Sequence, residues 1–324
     1  MTKLVLMVFI LVFLCPALYV AAVYVTGSTR FDPAEWTSAS VENDRVYRWF
    51  QKGGSSRLKG VAVVVHGLNL RPERMGSVID ELNRAGIDVL NVSLRGHGGN
   101  FAWNRELSMD DARLASFRNV SYRMWADEVR GAYDRARQRA SDRKVPLFFV
   151  GYSLGGVLGC NLLLTDPDVA YDGMILFSPA LNITAKGYLL KPLMPFPNIV
   201  IDSLAPLSYR ANEGTPMAAY RAVFEAVADF EKRGGPRLNI PTDVFVDERD
   251  EFISPKDLEQ AVVRLGLDRW RIHWVQKGPD GRESLSHHVI IDETSVGRQA
   301  WHRTAALIRR HVNPRETAAR TSGD

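Results

Sequence analysis

The sequence predicts an α/β fold, a mostly parallel sheet with helices on both faces. Three observations lead there. Short apolar runs rich in β-branched residues recur along the chain, the first being Gly60-Val61-Ala62-Val63-Val64-Val65. These runs lack the alternation of a half-exposed strand, so they read as strands buried on both sides. Between them lie longer segments with a helical apolar stripe, such as 124–140, which sets Trp125, Val129, Ala132, Tyr133 and Ala136 on one face. Strands alternating with helices make a parallel sheet that helices cover on both sides.

The elements follow in order. Residues 75–85 read as a helix and 86–92 as the second strand. After the helix at 124–140 come a strand at 145–150 and a helix at 154–164, which Asp166-Pro167 ends. Residues 173–177 and 242–246 read as strands, 270–275 as a last strand and 297–312 as a last helix. Residues 180–239 interrupt the alternation with Pro192, Pro195, Pro197 and Pro206, followed by a helical segment at 216–232. That stretch fits a lid or cap inserted over the carboxyl edge of the sheet, or else plain helical packing. Residues 27–41 read as a polar linker, 42–312 as the folded domain and 313–324 as a polar tail expected to be mobile.

Composition narrows the function classes. The chain has 324 residues, 46% of them apolar and 24% charged, an ordinary globular balance that excludes a disordered or collagen-like protein. Forty-one Lys and Arg against 37 Asp and Glu leave a net charge of +4, which is no nucleic-acid footprint. The two cysteines, Cys15 and Cys160, offer neither a disulfide framework nor a zinc site. Residues 4–25 carry no charge and are interrupted only by Pro16. As a helix they would span about 33 Å, enough for the hydrocarbon core of a bilayer. They are expected to be retained as a single-pass N-terminal transmembrane anchor (residues 1–26), with the folded domain exported. Cleavage as a signal peptide, giving a secreted or periplasmic protein, is the alternative.

The motif with the most chemistry is Val150-Gly151-Tyr152-Ser153-Leu154-Gly155-Gly156. It has the pattern Gly-x-Ser-x-Gly between a strand and a helix, the context in which the serine becomes an exposed nucleophile on a sharp, strained turn. Side chains at 151 and 155 would collide across that turn, so both positions need glycine. The bland reading is a tight glycine turn with a solvated serine. A serine hydroxyl needs a base, and the base needs a third group to hold its tautomer. On such a sheet the three follow in the order Ser, Asp or Glu, His. Asp250 and His288 complete that order after Ser153, with Asp247 and His287 as neighbouring rivals. The backbone N–H of Leu154, the residue after the serine, is the expected donor to a substrate oxyanion.

These residues resemble the α/β-hydrolase superfamily and, within it, the monoacylglycerol lipase and carboxylesterase group, from about residue 61 to residue 307. In that group the acid precedes an apolar pair and then Pro or Ser, as Asp250 precedes Phe252-Ile253-Ser254-Pro255. A glycine usually stands where this chain has Asp247, which leaves Asp247 a competitor. The pattern His-Val-x-x-Leu-Asp is matched by His288-Val289-Ile290-Ile291-Asp292 without its Leu, and it favours His288 over His287. Arg95-Gly96-His97-Gly98 resembles the loop after the second strand, with Ser93 where an Asp is common. The resemblance implies a second oxyanion donor at Leu68, after His66-Gly67.

His66 is read as shaping its loop rather than as a second base, and His97 and His273 as loop or surface groups. Cys160 is read as a small buried side chain. No metal and no cofactor is called for. The implied activity is hydrolysis of a small-molecule ester or lipid through an acyl-enzyme. Thioesterases, peptidases, acyltransferases and non-catalytic binding proteins share the machinery or the fold. Apolar residues such as Tyr188, Leu189, Phe196 and Ile199 either line an acyl channel or pack the core of the 180–239 stretch. Oligomeric state stays open.

Overall fold

The computed structural model describes residues 43–52, 57–103, 105–203, 205–281 and 286–313. Its main sheet is built from β1 (Tyr47–Phe50), β2 (Gly60–Val65), β3 (Ile87–Val92), β4 (Leu147–Tyr152), β5 (Gly173–Phe177), β8 (Thr242–Val246) and β9 (Trp270–Trp274). A two-stranded ribbon, β6 (Val200–Asp202) and β7 (Gly214–Pro216), lies apart from it. The main sheet runs in the order β1-β3-β2-β4-β5-β8-β9. Only β1 is antiparallel to its neighbour. The register aligns Val65 with Gly151, Tyr152 with Phe177 and Phe177 with Phe245. The loops that leave β2, β4, β5 and β8 therefore start side by side on one edge.

The buried strands divide their side chains between two cores, because successive residues point to opposite faces. Val61, Val63, Val65 and Phe149 enter the core shared with α3 (Tyr122–Arg143), α4 (Leu154–Thr165) and α5 (Met217–Arg233). Ala62, Val64, Phe148 and Val150 enter the other, covered by α1 (Gly76–Arg84) and α7 (Arg298–Val312). Helix α4 is buried on every side from Leu154 to Leu163, since the sheet lies under it and α5 over it. That placement accounts for a helix with no polar stripe.

Two helices of ten residues have no counterpart among the expected elements, α2 (Met109–Arg118) and α6 (Pro255–Arg264). Both announce themselves by their caps. The hydroxyl of Ser108 accepts from the N–H of Asp111, and that of Ser254 accepts from Asp257, with Pro255 in the first turn.

The expected membrane anchor needs correction. No helix among the described residues is long and apolar enough to cross a membrane. Helix α3 has 22 residues but carries Arg130, Asp134 and Arg137 along its length. Helix α4 is apolar, yet its 12 residues reach only about 18 Å against a hydrocarbon core of about 30 Å. Residues 4–25 lie outside the described residues, so the single-pass anchor and the exported location drawn from it are not supported.

His273 also departs from expectation. It lies on β9, and its Nε2 meets Asp243 Oδ1 at 2.8 Å, while His311 Nδ1 meets Asp243 Oδ2 at 2.9 Å. Asp243 is buried on β8. Burial pushes its carboxyl up, but the two imidazoles outweigh burial and hold it well below the usual carboxylate range. The cluster ties the last strand and the last helix to the sheet. Asp243→Ala is expected to lower the unfolding free energy by about 3 kcal/mol, because it leaves two enclosed imidazoles without their acceptor. Urea unfolding of the two proteins at pH 7 measures the difference.

Candidate active site

Ser153 occupies the turn between β4 and α4 with φ 50° and ψ −113°, a strained conformation for a residue with a side chain. Its N–H donates to Phe177 O at 2.9 Å, and its carbonyl accepts from Gly156 and Ala180. The two glycines are required for different reasons. A Cβ on Gly151 would come within 2.6 Å of Gly156 N, across the turn. One on Gly155 would lie 2.2 Å from Val65 O, so the clash there is with the neighbouring strand β2.

The turn presents the Ser153 hydroxyl to the loop after β9. Ser153 Oγ stands 2.8 Å from His288 Nε2. On the other side of the ring, His288 Nδ1 stands 2.8 Å and 3.1 Å from the two carboxylate oxygens of Asp250. A carboxylate accepts, so Nδ1 carries the proton and Nε2 is left as the acceptor facing the hydroxyl. Asp250 Oδ1 also accepts from the N–H groups of Phe252 and Ile253, both at 2.9 Å. Burial raises the Asp250 carboxyl, but His288 and these two N–H groups outweigh it and hold the acid below its ordinary value. Three residues distant in sequence thus form one buried chain of hydrogen bonds.

The rivals form a chain of their own. His287 Nδ1 stands 3.0 Å from Asp247 Oδ2, and Asp247 Oδ1 accepts from Arg249 N. The bond to Ser153 belongs to His288, not His287. Glu251 serves both histidines, since its two oxygens accept from the backbone N–H groups of His287 and His288 at 3.0 Å and 3.2 Å. The Tyr152 and Phe252 rings each lie 5.2 Å from the His288 ring, and Phe252 is 55% exposed, so one wall of the site faces solvent.

Leu154 is the first residue of α4, where backbone N–H groups have no partner within the helix. Leu68 lies on the loop after β2, which comes against the serine: a Cβ on Gly67 would lie 3.1 Å from Ser153 Cβ. His66 and His97 support this loop. His66 Nδ1 donates to Gly67 O at 2.8 Å and its Nε2 accepts from Leu94 N at 3.1 Å. His97 Nε2 accepts from Asn69 N at 3.0 Å, and its Nδ1 lies 3.2 Å from Leu94 O and Arg95 O. His97 lies in the loop after β3, one of the two placements expected, but it is fully buried rather than at the surface and packs 4.6 Å from the His66 ring. Each ring uses an unprotonated Nε2, so both are neutral. Burial lowers His66 to about 4 and His97 well below its ordinary value. The sequence analysis missed Asn69, Asn212 and Glu251. Asn69, with φ 51°, did carry a signal, since Asn tolerates a left-handed backbone after a His-Gly pair.

The family described as "Serine aminopeptidase, S33" matches residues 56–214. A thermostable monoacylglycerol lipase from Bacillus sp. (strain H-257) is 24% identical over 219 residues, covering 63% of this chain and 79% of that one. A soluble variant of monoglyceride lipase from Saccharomyces cerevisiae superposes with a TM-score of 0.64 at 13% identity, covering 83% of this chain and 91% of the other. The chain has the α/β-hydrolase fold and resembles the monoacylglycerol lipases. A third structure, monoacylglycerol lipase from Paleococcus ferrophilus, gives a TM-score of 0.58 at 18% identity over 82% of this hydrolase-fold chain and 98% of its own.

The two neutral histidines give this protein a pH signature. Between about pH 6.5 and pH 4 the unfolded His66 binds a proton that the buried one does not. The stability from keeping it neutral is complete above about pH 6.5 and is lost as pH falls to about 4, by about 3 kcal/mol for His66 alone. Denaturant unfolding over that range is expected to show the decline, and His97→Asn to make it shallower. The carboxylates Asp243 and Asp250 act in a lower window, below about pH 4.

Proposed function

We propose that this protein is a serine hydrolase that cleaves carboxylic esters, with monoacylglycerol-like lipids among its substrates. The observation that carries the reading is the buried chain from Ser153 through His288 to Asp250 under a strained turn. In the proposed reaction Ser153 Oγ attacks the ester carbonyl while His288 Nε2 takes its proton, and the imidazolium gives that proton to the leaving alcohol. Asp250 holds the Nδ1–H tautomer and offsets the positive charge. Water then attacks the acyl-enzyme by the same route and frees the acid. The N–H groups of Leu68 and Leu154 are the proposed oxyanion donors. Neither cofactor nor metal is invoked.

The stretch before α5 is proposed as a cap. A 3-10 turn, Gly187–Leu193, and the β6–β7 ribbon lie within it. It leaves Leu189 77% exposed and Phe196 partly so, while Ile199 is buried, an uneven apolar surface suited to an acyl chain. Ester preference follows the lipase relatives. The description of the matching family favours a second reading, an aminopeptidase on the same residues. p-Nitrophenyl esters and monoacylglycerols run beside aminoacyl p-nitroanilides separate the two, and turnover of the anilides alone would replace the ester reading.

Ser153→Ala is expected to reduce ester turnover by about 10³-fold or more with the fold intact, and activity within tenfold of the parent would refute the assignment. Asp250→Asn and His288→Ala are each expected to cost several orders of magnitude, because the base works in one tautomer only. Asp247→Asn and His287→Ala should cost little. Large losses at the second pair, measured as kcat/KM, would exchange the roles.

A further inference from the structure

The loop that bears Leu68 is a four-residue turn, Gly67 to Leu70, closed by the Leu70 N–H on Gly67 O at 3.2 Å. Asn69 stands third in it with φ 51°, the position at which such a turn demands a left-handed residue. Asn residues enter that region at low cost, but nothing in backbone preference alone asks for the Asn side chain, since Gly would serve.

The side chain has a separate task. Asn69 Oδ1 accepts from Asn212 N at 2.8 Å, and Asn69 Nδ2 donates to Asn212 O at 3.1 Å. The Asn69 backbone is held as fully, with its N–H on His97 Nε2 and its carbonyl accepting from Ala211 N. One residue therefore spends every polar group it has on three others, His97, Ala211 and Asn212, and it is buried. Asn212 is anchored in turn, since its Nδ2 donates to Gly96 O at 2.9 Å and its Oδ1 accepts from Arg113 Nε at 3.2 Å. The same segment reaches back to Tyr209, whose carbonyl accepts from Arg71 N and whose hydroxyl lies 2.8 Å from both oxygens of Asp292. Asp292 stands four residues after His288.

We infer that Asn69 is a positioning residue for the oxyanion hole, and that the Asn69–Asn212 clamp makes the turn bearing Leu68 and the segment Tyr209–Asn212 one body. The inference rests on the hydrolase reading and goes beyond it. It states that the direction of the Leu68 N–H is set from the segment leading into β7, not by the loop after β2 alone. It also places the far end of that segment, through Tyr209 and Asp292, against the chain that carries His288.

Asn69→Gly is the decisive variant, because glycine keeps the left-handed backbone and removes only the clamp. The measurements are kcat and KM for p-nitrophenyl butyrate, and inhibition by an alkyl trifluoromethyl ketone. That ketone forms a tetrahedral adduct when Ser153 Oγ bonds to its carbonyl carbon. The carbonyl π pair becomes the oxyanion, and the serine proton passes to His288. With the clamp lost, kcat is expected to fall tenfold or more, short of the about 10²–10³-fold that follows loss of a whole oxyanion donor. The inhibition constant should rise by a similar factor, with KM within twofold of the parent. A kcat within twofold of the parent overturns the inference, and so does a raised KM at unchanged kcat, which would give Asn69 to substrate binding. Thermal unfolding accompanies both measurements. Should Asn69→Gly not fold, Asn69→Asp, which keeps a residue that tolerates the left-handed backbone and puts an acceptor where Nδ2 donates to Asn212 O, decides on the same two readouts. A parent chain that neither turns over esters nor labels with a fluorophosphonate ends the hydrolase reading, and this inference with it. That result differs from an active parent matched by its variant.

Discussion

One backbone conformation organises the site: the left-handed Ser153, held between β4 and α4. A residue with a side chain at φ 50° costs free energy, so its neighbours must over-determine it. They do so with bonds from Phe177, Gly156 and Ala180, and with two positions where any Cβ would strike backbone. The strain turns the hydroxyl toward the loops and starts α4 directly behind it. Because β2, β4, β5 and β8 end level, the strands that flank the serine also deliver the loops that complete the site.

Around that turn, burial forces each polar group to find a defined partner. His66 and His97 are neutral because water cannot solvate their charged forms; the acceptor nitrogen of His97 then holds Asn69 N in the loop bearing Leu68, and that of His66 holds Leu94 N in the loop after β3. Asp250 is different. It is buried yet ionised, because His288 and two backbone N–H groups outweigh its desolvation. The same physics therefore makes neutral rings on one side of Ser153 and a charged acid on the other. Glu251, bonded to two successive N–H groups, keeps both histidines of the loop after β9 in place.

Most strands could be read from the chain because a parallel sheet buried on both faces requires continuous apolar runs, and residues 60–65 and 173–177 show them. The edge strand β1, with Tyr47, Arg48, Trp49 and Phe50, lacks such a run because it is only partly covered. Helix α6 is harder to read because it is short and Leu258 is its one fully buried residue, so its Ser254-Pro255 cap marks it better than an apolar stripe does. That His97 sits in a loop was legible, but not its burial, because nothing local to a Gly-rich loop tells that Phe117 and Trp125 close over it.

Some features were decided by sequence alone: the alternation that makes the α/β sheet, the glycines that permit the turn at Ser153, and the order of Ser153, Asp250 and His288. The first two are local steric or hydrophobic demands, written in residues that are neighbours or periodic, and the third is simply the chain order itself. Which histidine meets the serine, and that Asn69 grips Asn212, only the tertiary structure decided. His287 and His288 are adjacent and chemically alike, and Asn69 and Asn212 are 143 residues apart. Pairing at that range depends on where the packed sheet sets two loops down, which no local preference encodes.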